Sequence, residues 1–352
     1  MDFVLFAGTA VLGRYFVTPR KTSTTTTTTM SVAAISLETL QQQNAVTSNT
    51  LLEEYKDSRR FAKLAAYEGD LTIQRDQEDA SKLIKGIEFA QQKGVIDPHF
   101  VPEPYIPMDV LGKTPDQVAE LILQHVEEHQ TTEQNGLVLV LVGLSGTGKG
   151  TTVAKLNEKL QRQGLSVTTW SNGNVFRSVT LLATTWCEQH QNDDLEAALT
   201  KDNLASWMSM LSFGKNPEGV YDIRIQGLGL DCYVSKIQNT LLKSPTVSKY
   251  IPTVAQYTQG EVIVFAAQAV EILQRAGICV LLEGRELTVN YVRTPHRFVL
   301  HLSDESLIGK RRAAQRLMAA ALHDAEQRAD TTSVKEILEA ALDRLVEDIT
   351  QN

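Results

Sequence analysis

Apolar residues change rhythm along this chain, and each rhythm predicts a different element. From Leu137 to Val142 leucine and valine alternate with no polar position between them. That is the pattern of a parallel strand covered on both faces, not the in-out alternation of a half-exposed one. Helical and strand-like stretches alternate after it. The pattern predicts a helix over Lys149 to about Arg162, a strand near Ser166 to Trp170 and a helix from Asn174 to about Glu188. Further on it predicts a helix from Glu261 to Arg275 stopped by Gly277, strands over Ile278 to Leu282 and Phe298 to Leu302, and helical C-terminal segments including Val334 to Ile349. Such alternation implies an α/β fold with a parallel sheet flanked by helices.

Upstream, residues 36–136 read as a mostly helical extension, polar in tone, with one apolar-periodic segment near Lys82 to Gln92 closed by Gly94. Pro98, Pro102, Pro104 and Pro107 fix φ and remove backbone donors, which predicts an extended linker over 98–107. Thr114, Pro115 and Gln117 then supply an N-cap, a proline at the first helical position and a capping-box glutamine. Val118, Leu121, Ile122 and Val126 give that helix an apolar face. No chemistry is visible in this region. His125 and His129 stand four apart, but nothing is placed to complete a metal site, so they read as solvated surface residues.

Residues 1–35 carry Arg14, Arg20 and Lys21 against Asp2, an apolar stretch from Phe3 to Leu12 and a threonine run from Thr24 to Thr29. The stretch is shorter than the roughly 20 residues needed to span a bilayer, and a threonine tract cannot bury enough apolar surface to offset its backbone entropy. Two readings stay open. One is a disordered tail upstream of an effective start at Met30, in a cytoplasmic protein. The other is a transit peptide directing a soluble protein to plastid or mitochondrion.

Composition narrows the partners. Lys and Arg total 34 against 42 Asp and Glu, a net charge of −8 over 352 residues. No global positive field exists to hold DNA, RNA or an acidic membrane. Cys187, Cys232 and Cys279 are too few for a disulfide framework or a four-thiolate zinc site, and read as buried thiols in a reducing compartment.

The chemistry starts where the buried strand ends. Gly143, Leu144, Ser145, Gly146, Thr147, Gly148, Lys149, Gly150 and Thr151 run straight from strand into helix. Glycines let such a loop wrap a phosphate with amide N–H groups, the helix N-terminus adds partial positive charge, and Lys149 adds a full one near the β- and γ-phosphates of a nucleotide. Gly150 stands where the usual pattern has a Ser or Thr whose hydroxyl touches Mg²⁺. The metal then depends on ATP, water and a carboxylate elsewhere. This variant of the loop looks like that of nucleoside monophosphate kinases.

A phosphotransferase needs a second anion site. Asn172, Gly173 and Arg177 follow the second strand, and Glu283, Gly284, Arg285 and Glu286 follow the strand over 278–282. Glu283 fits a strand-end carboxylate that binds Mg²⁺ directly or through water, and Arg285 can fork onto a phosphate. Lys310, Arg311 and Arg312 lie on a helix past the next strand. Taken singly, each is more often a solvated charge; their order after a phosphate loop is what links them.

On these motifs the chain from about Leu137 resembles cytidylate kinase, the (d)CMP kinase of the bacterial type. The resemblance rests on the loop at 143–151, the acceptor motif at 172–177, an inserted small β element at Val220 to Gln238, Glu283-Gly284-Arg285-Glu286, and Arg311-Arg312 with Gln315. It implies a P-loop NTPase domain over 137–352 with a small monophosphate-binding β element and a helical lid. It implies ATP-dependent, Mg²⁺-assisted phosphorylation of CMP or dCMP in pyrimidine nucleotide metabolism, by a monomer. Lys149, Arg285, Arg311 and Arg312 would be catalytic, and Asn172, Gly173, Arg177, Arg285 and Glu286 would hold the acceptor. The sequence also departs from the family. Gln238 and Ala255 replace acceptor-side arginines, Ile308 replaces the first lid arginine, Asn172 and Glu286 replace a serine and an aspartate, and no closing strand is recognisable before Asn352. These departures keep two alternatives in view: a P-loop phosphotransferase with another acceptor, and a catalytically degenerate nucleotide-binding regulatory module.

Overall fold

The computed structural model of the protein describes residues 35–41, 45–129, 136–327 and 333–351; the readings of residues 1–34 lie outside these. In chain order the strands are β1 (Ile106–Asp109), β2 (Val138–Gly143), β3 (Val167–Trp170), β4 (Leu211–Lys215), β5 (Tyr221–Gly227), β6 (Leu230–Tyr233), β7 (Cys279–Glu283) and β8 (Arg297–His301). The helices are α1 (Leu37–Gln41), α2 (Ala45–Glu54), α3 (Arg59–Gln92), α4 (Pro115–Glu128), α5 (Lys149–Arg162), α6 (Asn172–Gln189), α7 (Leu195–Ala198), α8 (Lys201–Ser209), α9 (Val234–Ile237), α10 (Pro245–Arg275), α11 (Glu286–Val289), α12 (Ser306–Gln327) and α13 (Val334–Gln351).

The central sheet has five strands in the order β1-β8-β2-β7-β3, all parallel, with Leu141 of β2 opposite Glu283 on one side and Phe298 on the other. The unbroken Leu-Val run of β2 follows from this position: Leu139 and Leu141 pack with Ile122, Leu123, Leu156 and Leu160 of α4 and α5. Val138, Val140 and Val142 pack on the opposite face with Val175, Val179, Val262 and Ala266 of α6 and α10. The fold is therefore α/β, with a parallel sheet between helical layers. β7 and β8 flank β2 on opposite sides, so the winding direction reverses there, and the loops after β2, β7 and β8 open onto one crevice at the carboxyl edge.

Several elements differ from the sequence reading. The proline-rich linker ends in a strand: Ile106–Asp109 pairs with β8 and closes that edge of the sheet. Pro107 lies within it, which an edge strand tolerates because its missing N–H need not serve a second neighbour. The periodic segment near Lys82 is the last part of a 34-residue helix, α3. α10 starts at Pro245 and runs through Pro252, well before Glu261. α6 starts at Asn172, capped by Ser171. Thr114 caps α4 with the full capping box, but Leu121 is exposed, and Ala119 and Leu123 complete its buried face. His125 is packed, stacking on His129 at 4.1 Å between centroids and standing edge-on to Phe298 at 5.6 Å. The small β element is a three-stranded antiparallel sheet, because β4 joins β5 and β6.

A second core joins the two ends of the chain. Leu40, Leu51, Phe61 and Leu64 from the N-terminal helices pack with Leu317, Leu338 and Leu342 of α12 and α13. α3 crosses α12 at Gly69 and Gly309, where a Cβ on Gly309 would stand 2.2 Å from the Ala65 carbonyl oxygen. The two backbones touch because neither glycine has a side chain, and an ion pair between Glu68 and Arg316 flanks the crossing. Residues 35–352 thus form one compact unit.

Candidate active site

The loop between β2 and α5 is shaped by its glycines. Gly143 has φ +147°, and a Cβ there would lie 2.3 Å from the Leu300 carbonyl oxygen, so only glycine lets β2 turn away from β8 at this point. Gly148, at φ +86°, is the N-cap of α5. Thr147 is buried, its hydroxyl donating to the Leu144 carbonyl at 2.9 Å, and Thr151 donates to the Gly148 carbonyl at 2.8 Å. Leu144 is exposed at the loop's tip. These internal bonds hold the loop open toward the carboxyl edge of the sheet.

Cations converge on it. The Lys149 ammonium folds back on the loop, donating to the carbonyls of Gly143 at 2.7 Å and Leu144 at 2.9 Å. Burial lowers its pKa; Glu283 and Asp76 pull it up, and Arg285 and Arg312 push it down further. Lys149 therefore senses charges from α3, β7, the loop after β7, and α12. Arg311 donates to the Gly146 carbonyl at 3.0 Å, and burial lowers its pKa. Arg312 bonds Gln315 at 3.1 Å along α12. Ile308, on the same helix, is buried against Gly146, an apolar cover at the position the resemblance assigns to an arginine.

Glu283 ends β7 beside the first turn of α5: a Cβ on Gly150 would stand 3.6 Å from its Oε2. The carboxylate makes no hydrogen bond or ion pair among the described residues. Among these residues no group of three His, Cys, Asp or Glu side chains could hold a metal. Mg²⁺ with a nucleotide needs only one or two carboxylates besides phosphates and water, and Glu283 meets that requirement.

The residues expected on the acceptor side divide into two groups. Asn172, Gly173 and Arg177 open α6 beyond β3, which pairs with β7 and not with β2, two strand spacings or roughly 10 Å from the loop strand. The Asn172 side-chain carbonyl accepts from the Trp170 indole N–H at 2.9 Å. Arg177 makes no hydrogen bond or ion pair among the described residues, and its guanidinium fits against Gly173, where a Cβ would lie 2.9 Å from Nη1. Gln238 reaches only Asn174, at 3.3 Å. Glu286 opens α11 and, with Arg285, Gly143, Leu144, Leu83 and Ile308, lines a cavity of about 430 Å³ between the loop and α3.

Arg285 is engaged. Its Nη2 donates to Asp76 Oδ1 at 3.0 Å and to Asp79 Oδ2 at 2.9 Å, both on α3. Asp76 also accepts from the backbone N–H of Ser145 at 3.0 Å and from its hydroxyl at 2.8 Å. Burial alone would raise the Asp76 pKa; the Ser145 donors and Arg285 outweigh it and hold the carboxyl below the usual aspartate range. The sequence reading found no chemistry in residues 36–136, yet these two aspartates touch the loop. A signal existed: Ala65, Thr72, Asp76, Leu83, Ile87 and Ala90 mark the buried stripe of α3, and an acid interrupts it. A scan against protein-family models finds no match, and no curated protein matches the chain.

Proposed function

We propose that this chain is a P-loop nucleoside monophosphate kinase that transfers the γ-phosphoryl group of ATP to a monophosphate, with CMP or dCMP the expected acceptor. What supports this reading is the convergence of Lys149, Glu283, Arg285, Arg311 and Arg312 on one glycine loop at the carboxyl edge of a parallel sheet. In this reading the loop amides and Lys149 hold the ATP phosphates. Arg177, which has no hydrogen bond or ion pair among the described residues, and Arg285 grip the acceptor phosphate at the carboxyl ends of β3 and β7. An oxygen of the acceptor phosphate bonds to the γ-phosphorus as the bond from that phosphorus to the β–γ bridging oxygen breaks, and ADP leaves. The nucleophile is already anionic at neutral pH, so no general base is required. Mg²⁺ carried with ATP and held at Glu283 would neutralise phosphate charge; the protein's own part is positioning and charge compensation.

The test is a panel of nucleoside monophosphates with ATP in a coupled ADP-release assay on the full chain. Release that depends on CMP or dCMP supports the reading. Dependence on a different acceptor keeps the kinase and changes its substrate. ATP binding with no acceptor-dependent release points to a regulatory module.

A further inference from the structure

The groups that hold Asp76 are those a phosphoryl group would need: a loop amide, a loop hydroxyl and a guanidinium, at 3.0, 2.8 and 3.0 Å. A carboxylate and a terminal phosphate both present oxygens to such donors, and both bond most strongly when the donors converge in a site removed from water. Asp76 is 8% exposed, so this contact lies inside the packed structure. Asp79 takes up the same Nη2 of Arg285. The helix that carries both acids is fixed by features that serve no catalytic purpose: the Gly69–Gly309 crossing and the Glu68–Arg316 ion pair hold α3 on α12, the helix of Arg311 and Arg312. The phosphate loop, the acceptor arginine and the lid helix therefore all meet one segment from the N-terminal side of the chain.

We propose that α3 is a built-in inhibitory arm: Asp76 and Asp79 occupy phosphate-binding groups of the site, and nucleotide must displace them to bind. The inference rests on the kinase reading of the loop. Its consequence is a competition. While the carboxylates are docked, Arg285 and the Ser145 donors are unavailable, so the observed affinity is the intrinsic one reduced by the fraction of molecules in which the two carboxylates have turned away from these groups.

The experiment is ATP·Mg²⁺ binding and CMP binding by calorimetry on the full-length chain and on Asp76→Asn, Asp79→Asn and Lys149→Ala, with thermal melts on each. Asparagine keeps the shape of Asp76 but loses the charge that holds Arg285. The expected result is ATP binding about tenfold tighter for Asp76→Asn, whose carboxylate takes the Ser145 donors, and CMP binding roughly threefold tighter for Asp79→Asn, whose carboxylate takes Arg285, a difference of about 1.4 kcal/mol being tenfold. Asp79 is half-exposed and bonds Arg285 alone, so its variant reports even where the buried substitution disturbs folding. Unchanged or weaker ATP binding in Asp76→Asn together with unchanged or weaker CMP binding in Asp79→Asn, with wild-type ATP binding intact and lost in Lys149→Ala, overturns the inhibitory arm and leaves the kinase reading standing. Absence of ATP binding in every protein overturns both.

Discussion

Replacing Gly309 by alanine tests how α3 is held against the site. A Cβ at Gly309 would stand 2.2 Å from the Ala65 carbonyl oxygen and 3.0 Å from Gly69 Cα, distances that no side-chain rotation can relieve because both partners are backbone. An ordinary contact requires the helices to separate by about 1 Å, and overpacking of this kind costs about 1–3 kcal/mol. Alanine returns up to about 1 kcal/mol of helix propensity, so the net loss should be about 0–2 kcal/mol. Gly69 supplies the internal control. Its Cβ would meet Gly309 Cα at 3.4 Å, an ordinary contact, so Gly69→Ala keeps the propensity gain and should be neutral or up to about 1 kcal/mol more stable. The two variants differ by one methyl on either side of the same crossing, and they should separate by the overpacking cost, about 1–3 kcal/mol. Urea unfolding gives the energies directly, and calorimetry should show melting temperatures roughly 2–5 °C apart. If Gly309→Ala is as stable as Gly69→Ala, the helices are not in backbone contact and the docking of α3 described above is wrong.

Three further outcomes follow from the site. Arg177→Ala should cut acceptor kcat/KM by about 30- to 1,000-fold, the equivalent of about 2–4 kcal/mol, while leaving ATP affinity and melting temperature almost unchanged, since Arg177 makes no hydrogen bond or ion pair among the described residues. Arg285→Ala should also lower the melting temperature, by an amount equivalent to about 1–3 kcal/mol, because it leaves buried Asp76 without its cation; equal melts for the two arginine variants would contradict this division. Asp76 has a depressed native pKa, so the stability it contributes is complete above the ordinary aspartate value of about 3.9 and is lost as pH falls through the lower native value. The stability gap between wild type and Asp76→Asn should shrink on acidification through that window, and a gap that widens instead refutes the assignment.

The parts of this molecule visible in the sequence are those whose signals are local. The Leu-Val run of β2 and the glycine and lysine spacing of the loop sit within fifteen residues of one another, and the β2, α5 and β7 elements lie close to where periodicity places them. β1 was hidden because four residues containing a proline carry too little periodicity to outweigh the turn signal around them. α10 begins sixteen residues before the Glu261 start that the pattern gives and carries Pro252 inside it, held by packing of the long helix against α6 and α3. The link between Asp76 and the site spans 69 residues to Ser145 and 209 to Arg285. The apolar-periodic segment near Lys82 to Gln92 stops short of Asp76, and only the packing of α3 shows that Asp76 is buried and what it faces.

The central claim is that the loop at 143–151 carries phosphoryl transfer. The direct measurement is to incubate the full-length protein with γ-labelled ATP, Mg²⁺ and CMP, resolve the nucleotides, and repeat with Lys149→Ala. The account predicts label in the β-phosphate of CDP, stoichiometric with ADP, absent without CMP, and lost by at least about a hundredfold in the variant while a cooperative thermal melt shows that the fold is kept. Label that appears only as inorganic phosphate, or transfer that Lys149→Ala retains at near wild-type rate, would contradict it.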